Sequence, residues 1–169
     1  MTLDPKNREG LPPTDAKFLA NIEEHGWAIM KVAPRVGEQG DCFAYSTGLH
    51  FRFRQPEILI FGLSLETMHS IINIIGNQMK GGVIFVPNQG YPDILGEYSC
   101  HFKLVDRSQY KEHLGFSNWF YEGYGYPSLQ CFWPDRNGCF PWQSECNPDV
   151  RKRQPFLFMP TPTQASQVQ

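Results

Sequence analysis

The chain has 169 residues, of which 41% are apolar and 19% charged, with a formal net charge of −2. This length and apolar share favour one globular domain over a disordered chain. Fifteen basic residues against seventeen acidic ones exclude a general phosphate-backbone binder, which needs clustered positive charge. No apolar run approaches the roughly eighteen residues of a transmembrane helix, and the first residues lack the charged-then-apolar build of a secretion signal. Neither nucleic acid nor membrane is therefore an expected partner. Five cysteines, an odd number in a chain large enough to fold without staples, read as reduced thiols in a cytoplasm.

In chain order, residues 1–13 read as an irregular arm rich in Pro, Gly and charge. Thr14 and Asp15 then supply a capping side chain for a helix carrying Phe18, Leu19 and Ile22, which stops at Gly26. Residues 27–32 form a strand ended by Pro34, and a charged loop leads to a second strand at 42–47. A short apolar run at 58–62 is a buried strand. Ser64 caps the clearest helix in the chain, where Leu65, Met68, Ile71, Ile72, Ile75 and Met79 recur at helical spacing until Gly81-Gly82. That stripe is core, not a cofactor box.

Beyond it, 83–86 reads as a strand, 88–96 as a loop and 97–105 as a longer strand. Two short helices are expected within 108–114 and 118–121, and a last strand at 129–133. Pro134, Gly138, Pro141 and Pro148 then mark irregular backbone, and the tail from residue 160 reads as disordered. The whole predicts a single α+β domain over 14–159, with a mixed or antiparallel sheet, one long helix packed on it and an N-terminal helix.

Familiar chemical signatures are missing. Cys131, Cys139 and Cys146 lack zinc-ligand spacing, and the adjacent Cys100 and His101 point to opposite faces of a strand, so no metal is expected. No Gly-x-Ser-x-Gly elbow is present, and Gly37-Glu38-Gln39-Gly40 is no phosphate loop. The short basic run Arg151-Lys152-Arg153 reads as a solvated surface turn.

Three constellations remain. His25-Gly26-Trp27 lies where a helix hands over to a strand, so His25 either complements the helix dipole or contacts a ligand. Tyr45-Ser46-Thr47-Gly48-Leu49-His50 continues to Pro56-Glu57. Alternation puts Tyr45 and Thr47 on one face, and Gly48 opens the strand end to close approach. His50 and Glu57 form an acid–base pair if the loop folds back; otherwise the segment is a hydrogen-bonded turn. Gln130 through Asp135, followed by Asn137-Gly138 and Pro141-Trp142, is either a tight turn or an aromatic cover over a pocket or partner.

At these three places the sequence resembles the bacterial family called domain of unknown function 4262. The resemblance rests on His25-Gly26-Trp27, Phe43-Ala44-Tyr45-Ser46-Thr47-Gly48-Leu49, Pro56-Glu57 with the apolar strand after it, and Gln130 through Trp142. It runs from about residue 20 to residue 157, and departs where Thr47 stands in place of an apolar residue. It implies a cytoplasmic bacterial setting and supplies no activity and no cofactor.

The expectation drawn from the residues is a small-molecule-binding or regulatory module with one polar, aromatic-rimmed pocket. Its expected lining is His25, Tyr45, Thr47, His50, Glu57, Gln130 and Asp135. Two other classes stand beside it. One is a hydrolase or group-transfer enzyme using His50, Glu57 or Asp135 as acid and base. The other is an interaction factor of the immunity or antidefence kind, binding through exposed Trp119, Trp133 and Trp142. Cofactor and oligomeric state stay open.

Overall fold

Six strands form one mixed sheet in the order β1-β2-β3-β6-β5-β4, and helices cover both of its faces. The structure, a computed structural model, describes residues 10–161. Most of the expected N-terminal arm, and the tail from residue 162, lie outside the described residues.

Helix α1 (Pro13–His25) begins one residue before the expected cap. No side chain caps it, because the N-cap residue is Pro12, which has no side-chain acceptor; Pro13 follows in the first turn, where its missing N–H leaves no donor unsatisfied. It ends at Gly26, whose N–H donates to the Ile22 carbonyl at 3.0 Å. Strands β1 (Ala28–Val32), β2 (Phe43–Thr47) and β3 (Glu57–Phe61) then run as an antiparallel meander. Between β2 and β3 lies a one-turn helix, α2 (Leu49–Phe53), where the sequence suggested a loop. Helix α3 (Leu65–Lys80) starts as expected: the Ser64 hydroxyl accepts the Thr67 N–H at 3.1 Å.

The segment after α3 departs from expectation. Residues 83–86 are not a strand, and β4 (Gln89–Leu95) occupies the expected loop. Buried Gln55 explains the first change. Its amide donates to the Val83 carbonyl at 2.7 Å and accepts from the Phe85 N–H at 3.0 Å, so one side chain replaces a ladder partner. The second follows from position. As an edge strand, β4 tolerates Pro92 and a bulge between Tyr91 and Leu95, features that would break a central strand.

Strand β5 (Tyr98–Leu104) leads to a 3₁₀ turn (Arg107–Gln109), α4 (Tyr110–His113) and α5 (Gly115–Phe120). Strand β6 (Ser128–Phe132) inserts beside β3 as the single parallel pairing of the sheet. Both strands are buried along their whole length, as a central parallel pair requires. The basic run predicted as a turn belongs to a sixth helix, α6 (Pro148–Arg153), capped by the Asn147 side chain. Arg151 there donates to the carbonyls of Pro141, Gln143 and Ser144.

Strand alternation sorts the core into two layers. Ile58 and Ile60 of β3 face Met68, Ile71, Ile72, Ile75 and Met79 of α3, the stripe read from the sequence. Leu59 and Phe61 face the other way, toward α1, α4 and α5. Each such aliphatic side chain contributes about 1.5–3 kcal/mol on full burial, so the α3 stripe alone anchors that helix.

Candidate functional site

Two of the sequence motifs cross in close contact at Gly48. Gly48 has φ +119°, and a Cβ there would lie 2.6 Å from the Gly26 carbonyl oxygen and 2.9 Å from the Trp27 Cα. Glycine is required on both counts. The motif pair is thus a backbone crossing between the end of α1 and the end of β2.

Beneath that crossing lies the fully buried carboxylate of Glu57. One oxygen accepts from the backbone N–H of Gly48 at 2.9 Å and of His50 at 3.0 Å, and from the Tyr121 hydroxyl at 2.5 Å. The other accepts from the Ser46 hydroxyl, also at 2.5 Å, and Ser46 in turn accepts the Ile58 N–H. Four donors thus saturate this carboxylate, two of them backbone amides at the start of α2. Burial, and then the Glu57 charge, push the Tyr121 phenol far above its ordinary range, so it stays a proton donor. Burial likewise raises Tyr126 and takes Tyr110 to about 12. No phenol in this cluster is a base near neutral pH.

Thr47 joins the same network through Ser117, at 2.6 Å, and Tyr45 accepts the Phe116 N–H at 3.1 Å. His50 stands at its edge, its ring 5.7 Å from that of Tyr121, with Nδ1 buried and unpartnered. Four expected pocket residues therefore meet, but as interlocked structure. Glu57 is closed off by its donors, and it caps α2.

The other expected residues lie elsewhere. Gln130 donates to the Pro155 carbonyl at 2.7 Å and accepts the Leu157 N–H at 3.0 Å, which clamps the C-terminal segment to β6. Asp135 accepts the backbone N–H groups of Asn137, Cys139 and Asn147, each at 2.9 Å, and these bonds hold its carboxyl below the usual range. It follows the end of β6, whereas Glu57 opens the parallel β3, so the two carboxylates sit at opposite ends of the sheet. They do not form an acid–base pair. Trp133 is 6% exposed, and its indole donates to the Phe61 carbonyl at 2.7 Å. Trp119 and Trp142 are 44% and 36% exposed.

Two of the seven line a substantial concavity. Asp135 borders one of about 510 Å³ with Leu95, Tyr98 and Arg136. The other residue is His25, whose side chain is 65% exposed beside a groove of about 520 Å³ bounded by α1, β1 and α3. Strand β1 and the residue before it contribute Trp27, Ala28 and Ile29, while α3 contributes His69, Asn73, Asn77 and Lys80. A smaller recess of about 180 Å³ shares His25, Glu24 and Lys80 and reaches Arg52 and Phe53. The Trp27 and Phe53 rings lie 6.1 Å apart, so the cleft has an aromatic rim.

One hydrogen-bonded chain organises this groove. The Trp27 indole N–H donates to Asn73 Oδ1 at 3.0 Å, which fixes which end of that amide is oxygen. Asn73 Nδ2 then faces His69 Nδ1 at 3.4 Å, a long bond that assigns an acceptor to Nδ1 and the proton to Nε2. Burial, and then the charge of Lys31, lower the His69 pKa, in keeping with a neutral ring. Gly76 makes the arrangement fit: a Cβ there would lie 2.6 Å from the Trp27 ring.

Sequence reasoning missed His69, Asn73 and Asn77. The signal was present, since they recur at four-residue spacing opposite the apolar stripe of α3. A polar helix face usually meets only water, and nothing in the sequence says that Trp27 comes to it.

Fold and site together define an α+β domain with a buried polar lock at its centre and an open polar groove at the edge of its sheet. A profile of the family described as Domain of unknown function (DUF4262) matches residues 21–147, most of the chain and all of this region. The chain belongs to that family. Neither the curated proteins nor the solved structures contain a match to it. Among the described residues, no helix is long and apolar enough to cross a membrane, and no group of three His, Cys, Asp or Glu side chains could hold a metal.

Proposed function

We propose that the protein is a small-molecule-binding module of the bacterial cytoplasm, and that its ligand occupies the groove between α1, β1 and α3. The observation that supports this most is the combination of volume and unspent hydrogen bonding. Asn21, Asn77 and Lys80 line about 520 Å³ of space and make no side-chain hydrogen bond or ion pair among the described residues. Ligand sites characteristically set a few polar groups against an apolar or aromatic wall, here Trp27. Of the residues expected from sequence, His25 stays in this reading; Glu57, Thr47 and Tyr45 belong to the buried network and do not line the groove.

Native mass spectrometry of the protein as purified from cells, against its denatured mass, tests the reading. The expected result is a retained species of defined mass that is absent from Asn77→Phe, a variant that fills the groove from an exposed position. An adduct that persists in Asn77→Phe places the ligand elsewhere and ends the proposal. A clean apo mass in the wild type turns the search to a protein partner, the reading favoured by exposed Trp119 and Trp142.

A further inference from the structure

The groove runs along an open edge of the sheet. Strand β1 pairs with β2 alone, so its other side has no strand beside it among the described residues. The register says which groups stand on that side. Gly62 N–H donates to the Cys42 carbonyl, which turns Cys42 and Ala44 toward β3 and therefore Phe43, Tyr45 and Thr47 toward β1. Their partners Val32, Met30 and Ala28 spend their N–H and C=O groups on β2. Ile29 and Lys31 point theirs outward, and among the described residues no side chain or loop bonds to them. The opposite edge is guarded, since β4 carries Pro92 and a bulge. Strand β1 has neither, and it keeps one register through all 5 residues.

We infer that the groove takes a short extended peptide, added to the sheet as a strand against Ile29 and Lys31 of β1. This rests on the groove being the binding site and names its ligand class. Helix α1 packs on one face of the sheet and α3 on the other, so the cleft between them has the β1 edge as its floor, with Ile29 on the lining. Asn21 of α1 and Asn77 of α3 stand on the two walls, and each amide both donates and accepts, as peptide groups do. Pairing with Ile29 and Lys31 spans about 7 Å, or about three peptide residues. Main-chain bonds then supply affinity while the walls receive alternate side chains. Helical walls on both sides admit one strand more readily than a second sheet with helices of its own, so the occupant is a peptide and not another copy of the chain.

The test uses the full chain, ¹⁵N-labelled, and two capped peptides. One is N-acetyl-Thr-Ala-Thr-Ala-Thr amide with both alanines N-methylated, which leaves a single edge of donors; in the other every residue is N-methylated. The first peptide should move the Ile29 and Lys31 backbone amide signals and slow their hydrogen exchange about tenfold or more, with Ala28 and Met30 unchanged. The second should bind about tenfold more weakly or worse. Lys31→Pro removes one outward N–H at an edge position that proline tolerates, and should weaken the first peptide about fivefold, whereas Lys31→Ala, which keeps that N–H, should not. Equal binding of both peptides at the groove signals would overturn strand addition and leave the groove standing. If neither peptide moves them, the inference falls, while the groove reading is decided separately by the species retained in the wild type and lost in Asn77→Phe. A dimer that the first peptide dissociates would give the edge to a second copy of the chain and overturn the assignment.

Discussion

Glu57 and His69 each sit in a chain of hydrogen-bonded side chains, the first buried and the second on an open groove, and the two regions work in opposite ways. Around Glu57 every donor in reach is already spent on the carboxylate, and the carboxylate is spent on them. Around His69 the bonds run in one direction, from Trp27 through Asn73, and finish with a donor still in hand. The first arrangement stores stability and the second leaves recognition capacity. A buried acid beside a histidine in sequence looked like chemistry; saturation is what separates a lock from a site.

The sharpest way to break this comparison is Glu57→Ala. It strands four donors, three of them next to the Gly26–Gly48 crossing, and should cost about 3–5 kcal/mol in urea unfolding with the slope unchanged. A stable Glu57→Ala protein that has lost ligand would return Glu57 to the site. Gly48→Ala comes next. A Cβ 2.6 Å from a carbonyl oxygen, in a backbone conformation that side chains avoid, should cost about 2–3 kcal/mol and disturb the indole signal of Trp27. That variant sharpens the comparison by asking whether the lock holds the groove in shape.

The smallest effect is in pH. His69 has a lowered folded-state pKa, so below the ordinary 6.5 the unfolded chain takes up protons that the folded chain resists. Its contribution to stability is full above that value and is lost as pH falls through the folded pKa. His101, lowered by burial and then by Lys103, acts in the same direction. Thermal midpoints should therefore drop between about pH 7 and pH 5, and His69→Gln should remove part of that slope while His101→Gln removes another part. A slope untouched by His69→Gln would mean that the ring is not held neutral in the groove.

How far the sequence carried these conclusions differs by element. The α3 helix was legible to its cap and its core stripe, because a 3.6-residue period and a Ser before it are local signals. The strands around it were legible to within a residue, save β4, whose Pro92 and Gly90 mimic a loop unless its place at the sheet edge is known. The two shortest missed helices, α2 and α6, have too few turns to show a period and depend on caps from elsewhere: Glu57 for one, Asn147 for the other. Of the pocket residues expected, Gln130 clamps the distant Pro155–Leu157 backbone, which no local pattern reveals, whereas Asp135 closes the tight turn that the sequence offered as its alternative.

By itself, then, the sequence determined the class of fold, the long helix with its apolar stripe and the family, because periodicity and ordered motifs are written in neighbouring residues. Only the tertiary structure decided which polar residues are spent and which are available. That distinction depends on partners as far apart as Trp27 and Asn73, or Glu57 and Tyr121, whose approach is set by how the layers pack and not by any spacing along the chain.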